Sequence, residues 1–468
     1  MILLPVIIAI LYKQYNSAIP FICTSVFTFF LSYLCKLFND TELENLNDIK
    51  KSECLFILVL TWLFASFIAG IPYLFFGIPP IDALFEAVSG ITTTGAAINS
   101  NMDYPNAVFF WRSMTQWLGG MGIIVLFIAI LPQFAVAGRQ MFFAESPGPK
   151  EEKFTPRIRS TASALWKIYT SLTIIEIILL KFAGMPLFDA ICNSLSTLSA
   201  GGFSPNGESI MGYNSMAITW IVLIFIFLSG VNFNLQYKAI TKFDIASLFK
   251  NEEFRAYLFI FLGISTLVGL SLYINDNYSI FESITHSMYQ VISIMTSTGS
   301  VSADYGTWDF TTKTLLFIAM FTGGCASSAS GGIKISRWVL IAKIMSNEVK
   351  RILHPNAVLN VKMDNKIIAR DILSQTVMFV SFYIALIAIS VIIIAILEQD
   401  VVIGFSGSVA AIGNIGPAFG QVIGPMGGYE TLHPISKIIL IIDMLIGRVE
   451  LIPFLVLLER DFWSFSKN

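Results

Sequence analysis

Long apolar runs alternate with short, polar, glycine-bearing tracts along almost the whole chain. Runs of about 20 residues, enough to cross the hydrocarbon core of a bilayer, occupy 18–38, 54–77, 108–134, 163–184, 216–237, 256–275, 313–349, 372–397 and 435–458. Between them lie four shorter apolar segments that each run straight into a small-residue turn: FEAVSGITTTG ending at Gly95, ICNSLSTLSAG at Gly201, YQVISIMTSTG at Gly299 and SGSVAAIGNIG at Gly416. The glycine spacings of 106, 98 and 117 residues are far too long for a solenoid period and suit a module of membrane helix, re-entrant helix, glycine turn, membrane helix. Residues 1–12 are apolar but too short to span and carry no basic n-region or cleavage site, so either this helix tilts into the interface or the start of the chain lies upstream, the second being expected.

Composition fixes the class. With 55% hydrophobic and 13% charged residues and a mean hydropathy of +0.73, the chain is half as charged as an ordinary soluble domain. It reads as an all-α polytopic membrane protein of about ten spans, since a transmembrane barrel would show ten-residue alternation. Most of the 29 Lys and Arg residues fall in 36–51, 138–167, 238–255, 334–370 and 460–468, whereas 96–111, 202–232, 300–312 and 417–436 hold none. By the positive-inside rule the basic segments are cytoplasmic and all four glycine turns open outward. That shared orientation predicts parallel repeats around one ion pathway: an N-terminal helix pair over 1–52, pore repeat 1 over 53–137, a cytoplasmic loop and repeat 2 over 138–238, repeat 3 over 239–350 and repeat 4 over 351–468. The five cysteines, Cys23, Cys35, Cys54, Cys192 and Cys325, form no CxxC pair and read as buried free thiols.

The turns carry the candidate chemistry. Re-entrant helices descending from outside would aim their C-terminal ends, each with about half a negative charge, at the membrane centre. The returning chain then offers backbone carbonyls and Thr or Ser hydroxyls in place of an ion's hydration shell, and glycine allows the dihedrals that aim successive carbonyls inward. No charged side chain occurs in 89–99, 196–206, 294–303 or 411–421. Divalent sites recruit carboxylates, so this neutral cage points to a monovalent cation. The candidate ligands are Thr93, Thr94, Gly95, Ala200, Gly201, Thr298, Gly299, Ile415 and Gly416.

The second helix of the third module is interrupted by FTGGCASSASGGIK (321–334), a run of weak helix propensity. Irregular backbone at membrane depth must be buried in protein or line a water-filled cavity. It reads as a mobile segment across the inner mouth, or as a kink packed on its neighbours. Arg448, expected near the middle of the last helix, needs a partner. Glu450 and Asp443 are the nearby candidates. Glu176 and Lys181 read as a structural pair on one helix, and Glu86 and Glu282 either as charges able to draw cations to the mouth or as solvated helix-end charges. Gly119, Gly120 and Gly122 read as close helix packing.

The motifs TTTGA (92–96), LSAGGFSPN (198–206), TSTGSVSADY (296–305) and AIGNIGPAFG (411–420), with WRSMTQWLGGMG, FFAESPGP, GGCASSASGGIK and MLIGRVE, resemble the Trk/Ktr/HKT superfamily of potassium transporters, and within it the TrkH type. The resemblance covers 53–463. It implies four helix/pore-helix/helix repeats around one K⁺ pathway, multi-pass insertion in a prokaryotic cytoplasmic membrane, a homodimer in lipid, and regulation by a cytoplasmic TrkA-type nucleotide-binding ring. K⁺ is then the transported ion, with no nucleotide bound by this chain and no nucleic-acid partner. It also implies an intramembrane gate of Gly323, Gly324, Ser327, Ser328, Ser330, Gly331 and Gly332 held by Arg448. The chain departs from the family pattern at Ser300 and at Ser199–Ala200, which bears on K⁺ over Na⁺ discrimination.

No HExxH, GxSxG or P-loop is present, so no enzyme is expected. The alternatives are an Na⁺-permeable or proton-coupled symporter of the same fold, or an intramembrane hydrolase with Ser327, Ser328 or Ser330 as nucleophile. For the last, no base is near in sequence: the histidines are His286, His354 and His433.

Overall fold

The structure, a computed structural model, describes residues 1–37, 51–99, 104–129 and 154–463. FFAESPGP and most of the first basic loop lie outside the described residues. Ahead of the repeats, α1 (Leu4–Leu11) and α2 (Ile19–Leu37) form a pair joined by a tight turn at Tyr15–Ala18. Repeat 1 is α3 (Lys51–Phe75), the half-helix α4 (Pro80–Ile91) and α5 (Asn106–Ala129). Repeat 2 is α6 (Phe154–Phe182), the half-helix α7 (Leu187–Leu198), α8 (Met216–Ser229) and α9 (Phe233–Lys242). Repeat 3 is α10 (Glu252–Asn275), the half-helix α11 (Ile280–Met295), α12 (Phe310–Ala319) and α13 (Ile335–Leu353). Repeat 4 is α14 (Arg370–Glu398), the half-helix α15 (Val401–Ile412), α16 (Pro434–Arg448) and α17 (Ile452–Leu458).

Each half-helix has a start signal in the sequence. Pro79 and Pro186 precede the first turns of α4 and α7, and proline suits the start of a helix because its fixed φ is already helical. Ser279 and Glu282 make a capping box on α11, while the Asp400 carboxylate accepts from the N–H groups of Val402 and Ile403 on α15.

The burial pattern is that of a membrane protein built around a polar centre. Ser89, Thr92, Thr94, Ser194, Ser199, Ser293, Thr296 and Thr298 are buried, whereas Ile174, Ile178, Phe259, Leu262, Ile384 and Ile392 are exposed on the outer helices. Such an apolar exterior is stable only in lipid. The repeats interlock in sequence: α5 packs on α7, α8 on α11 and α16 on α4. Glycines make these approaches possible. A Cβ on Gly119 would fall on the Ile91 carbonyl, and one on Gly120 would come 2.8 Å from Ser199 and from the Tyr169 hydroxyl. Gly122 is different, since a Cβ there would meet only Trp62 at ordinary contact distance, 3.5 Å.

Two spans expected to be continuous are broken. The 216–237 run bends by 104° between α8 and α9, where the Asn232 side chain caps α9 by accepting from Asn234 and Leu235 N–H. The 435–458 run breaks after α16, with Glu450 (φ 66°) and Leu451 (φ 53°) in the left-handed region. Pro453 explains the second break, because it lacks an N–H and crowds the preceding turn. Arg448 therefore lies at a helix C-terminus rather than mid-helix, where the helix dipole favours a cation.

Three further expectations need correction. Cys192 and Cys325 are buried free thiols, but Cys23 and Cys35 are exposed on the apolar exterior, and the Cys54 side chain lies outside the described residues. Glu176 is fully buried while Lys181 is exposed, and neither carboxylate oxygen of Glu176 has a hydrogen-bond partner, so they make no pair. Glu86 is no free charge at the mouth, as described below.

Candidate ion pathway and gate

All four half-helices end in the same cap. Residues Ile91, Leu198, Met295 and Ile412 close the helices, and two residues on the chain turns left-handed at Thr93 (φ 53°), Ala200 (φ 57°), Ser297 (φ 58°) and Asn414 (φ 54°). The N–H groups of these residues bond to Gly90, Thr197, Ile294 and Ala411 carbonyls at 3.0–3.1 Å. Those of the next residues, Thr94, Gly201, Thr298 and Ile415, reach back to Ser89, Ser196, Ser293 and Ala410 at 2.8–2.9 Å. This is the Schellman pattern, normally finished by glycine. A non-glycine residue there costs about 1–2 kcal/mol, and the buried surroundings hold it in place.

The chain turns left-handed again two residues later, at Gly95 (φ 78°), Gly202 (φ 76°), Gly299 (φ 71°) and Gly416 (φ 93°). These four glycines close a ring. A Cβ at Gly95 would fall on the carbonyl oxygen of Gly201, one at Gly202 on that of Thr298, one at Gly299 on that of Ile415, and one at Gly416 on that of Thr94. Each repeat thus rests its glycine on the carbonyl that precedes the next repeat's glycine, from first to last and back to first.

The ring corrects the register read from sequence. Each glycine stands four residues beyond the end of its half-helix, which makes Gly202, not Gly201, the partner of Gly95, Gly299 and Gly416. Ala200 and Gly201 correspond to Thr93 and Thr94. Sequence reading missed Gly202, Ser297 and Asn414; the helix ends would have located them.

The side chains around the turns are uncharged oxygens held by one another. Thr92 and Thr94 hydroxyls lie 2.7 Å apart, those of Thr296 and Thr298 2.8 Å apart, and Asn414 Nδ2 donates to Thr94 Oγ1 (3.0 Å) and the Met444 carbonyl (2.9 Å). At the equivalent left-handed positions of repeats 1 and 4, Thr93 Oγ1 and Asn414 Oδ1 are buried with no hydrogen-bond partner.

On the other side of the ring an open cavity is lined by Gly95, Gly202, Gly299, Pro417, Arg112 and Tyr429. Arg112 is neutralised by Glu86: its Nε donates to Oε1 at 2.6 Å while Ile98 N–H donates to Oε2 at 2.9 Å, and the guanidinium lies 4.1 Å from the Phe203 ring centroid. Glu86 is therefore a buttress for the first turn. Glu86→Ala leaves a buried cation without its counter-charge, a change worth about 3–5 kcal/mol. A clearly lower thermal midpoint in detergent is expected, with Glu86→Gln intermediate; equal midpoints for all three proteins would refute the buttress.

Below the ring, the chain from Met320 to Lys334 is non-helical, as the glycine and serine content predicts. Its backbone is satisfied partly within the loop and partly by other segments. Gly323 N–H bonds to Ile333 O (2.8 Å), Gly324 N–H to Ser330 Oγ (3.0 Å), and Ser328 Oγ donates to Cys325 O (2.6 Å). Cys325 and Ala329 N–H groups bond to the Gly230 and Ser229 carbonyls at the α8–α9 break, and Phe233 N–H returns to Ser327 O. Gly331 N–H donates to Ser297 Oγ at 2.5 Å, directly beneath the third turn, and a Cβ on Gly331 would crowd Gly413 and Asn414 of the fourth. Gly332 is left-handed (φ 67°).

Arg448, 2% exposed, donates from Nη1 to Ala329 O (3.0 Å) and from Nη2 to Gly119 O (3.4 Å). Its partner is the loop rather than Asp443, which accepts from Ser390, or Glu450, which pairs with Arg337. Lys334 is both loop-associated and the first residue before α13, bonding to Ser330 O. Sequence reading missed Glu253, whose Oε1 accepts from Ala326 N–H (2.6 Å) and Ser336 N–H (3.2 Å) and so ties the middle of the loop and the first turn of α13 to α10. No histidine is seen to serve the serine cluster as a base: His286 bonds to Ser302, and His354 and His433 are exposed.

Comparison with known proteins agrees with this architecture. Residues 21–463 match the family model of TrkH, a cation transport protein. The Trk system potassium uptake protein TrkH of Salmonella typhimurium is 37% identical over 422 residues, 89% of this chain and 87% of that protein. Its namesake in Vibrio parahaemolyticus is 34% identical over 98% of this chain and 95% of its own length. The crystal structure of the potassium transporter TrkH from Vibrio parahaemolyticus superposes with a TM-score of 0.89 at 32% identity, covering 99% of this chain and 96% of that one. In sequence across nearly its full length, and in overall fold, the chain belongs to the TrkH family of cation transport proteins.

Proposed function

We propose that the protein takes up K⁺ across the cytoplasmic membrane through the four-glycine ring, with the 322–332 loop as its gate. The observation that carries this is the closed ring of left-handed glycines and carbonyls, which surrounds one axis with neutral backbone oxygen and no charge. Thr93, Thr94, Gly95, Ala200, Gly201, Gly202, Thr298, Gly299, Ile415 and Gly416 supply the cage. The names of its relatives support K⁺ as the ion. The Trk system named for them supports regulatory partners, here a cytoplasmic nucleotide-binding ring of the TrkA kind seated on basic segments such as 343–370, with the membrane protein as a homodimer. No nucleotide is assigned to this chain.

The test is ion uptake into proteoliposomes under K⁺ and Na⁺ gradients, with and without a pH gradient. The expected result is K⁺ uptake that outlasts collapse of the pH gradient and exceeds Na⁺ uptake. Equal K⁺ and Na⁺ uptake would make this a Na⁺-permeable relative, uptake only with a pH gradient a proton-coupled one, and no flux would remove the proposal.

A further inference from the structure

We infer that Gln116, on the inner helix of repeat 1, is the selectivity clamp of repeat 2. The inference rests on the filter reading above and concerns a residue outside the turns. At the ring position before each left-handed glycine, three repeats have a side chain: Thr94, Thr298 and Ile415. The two threonines are tied by hydroxyl contacts within their own turns, and Ile415 is packed at 1% exposure. Repeat 2 has Gly201 followed by Gly202, two successive residues with no side chain to hold them and the greatest backbone freedom of any pair.

Gln116 fills that vacancy from another repeat. It is fully buried, and a Cβ placed on Gly201 would strike its amide group. Nε2 donates to the Gly201 carbonyl at 2.7 Å, and Oε1 accepts from Phe203 N–H at 3.1 Å. The amide orientation follows from its partners, because a backbone N–H can face only the oxygen and a carbonyl only the NH₂ group. The clamp thus grips the double glycine on both sides, while a Cβ on Gly95 of its own repeat would lie 3.6 Å from Nε2. Gly201 O belongs to the ring of four carbonyls, and among the described residues it is the one that accepts a side-chain hydrogen bond. Holding it at a fixed radius keeps the ring from closing around a smaller ion.

The experiment measures isotopic K⁺ and Na⁺ uptake by the full chain in proteoliposomes. Gln116→Met, near-isosteric and unable to make either bond, is expected to lower the K⁺ over Na⁺ ratio about five- to tenfold, in keeping with the loss of about one net hydrogen bond. Gln116→Asn, polar but one methylene short, should show a smaller fall. Gly201 has no left-handed φ and so tolerates a side chain once space is made; Gln116→Ala with Gly201→Ser should recover part of the ratio lost in Gln116→Ala alone. A general packing role would reduce both fluxes together, so parallel loss at an unchanged ratio overturns the clamp; if Gln116→Met does not fold, Gln116→Asn is read by the same criterion. Gly299→Ser is run alongside. If its ratio and those of the serine variants at Gly95, Gly202 and Gly416 are all unchanged too, the filter reading itself fails; if its ratio falls while that of Gln116→Met does not, only the clamp fails.

Discussion

Serine at Gly95, Gly202, Gly299 or Gly416 is expected to lower the preference for K⁺ over Na⁺ by about tenfold or more, each tenfold being about 1.4 kcal/mol of lost discrimination. Two costs combine at each site. The backbone holds φ between 71° and 93°, a region where an L side chain is strained by about 1–2 kcal/mol. The new Cβ also lands on the carbonyl of the adjoining repeat, so the strain is relieved only by moving an oxygen of the ring. Competition between labelled K⁺ and Na⁺ in uptake assays measures the effect. Wild-type ratios in all four variants would remove the filter assignment. Alanine serves as the control for the hydroxyl, and agreement between the two series would place the effect in the backbone.

Arg448→Ala is expected to raise basal K⁺ flux by roughly ten- to a hundredfold, the equivalent of losing charge-assisted bonds worth about 1.5–3 kcal/mol that favour the closed loop. The guanidinium bridges Ala329 of the loop and Gly119 of repeat 1, so its removal unties the loop from two repeats while leaving the glycine ring untouched. Selectivity should stay within about twofold, in line with the small effects expected away from an altered contact, and dependence on a cytoplasmic regulator should weaken. Arg448→Lys keeps the charge but replaces the planar fork with a single point, so one contact is lost and an intermediate flux is expected. Folded Arg448→Ala protein with ordinary basal flux and ordinary regulation would show that the loop is a packing irregularity and that the gate lies elsewhere.

What could be read from sequence was what is written locally. Small-residue turns after short apolar helices announced the four caps, and the density of glycine and serine over 321–334 announced the broken helix. What escaped was set by distant partners or by choices between adjacent residues. Gly201 and Gly202 are chemically identical, and only the end of α7 decides which of them turns left-handed. The break at 230–232 hides in an almost wholly apolar run, its signals being Gly230 at the end of α8 and Asn232 ahead of α9. Arg448 looked central because the apolar run continues past it, although Pro453 marks the break. Glu86 and Arg112 are 26 residues apart, Gln116 and Phe203 87 apart, and Glu253 and Ala326 73 apart, and no periodicity links such pairs.

The cyclic seating of each glycine on its neighbour gives the aperture the mechanics of an iris. Four blades that each bear on the next share one opening, so displacement of any blade is passed round until it returns to its origin. The blades need not be alike for this to hold. Threonine, glycine and isoleucine occupy equivalent places at 94, 201, 298 and 415, because only their main-chain oxygens bear on the neighbour, and a single chain can let its four quarters diverge in sequence while they continue to define one common radius.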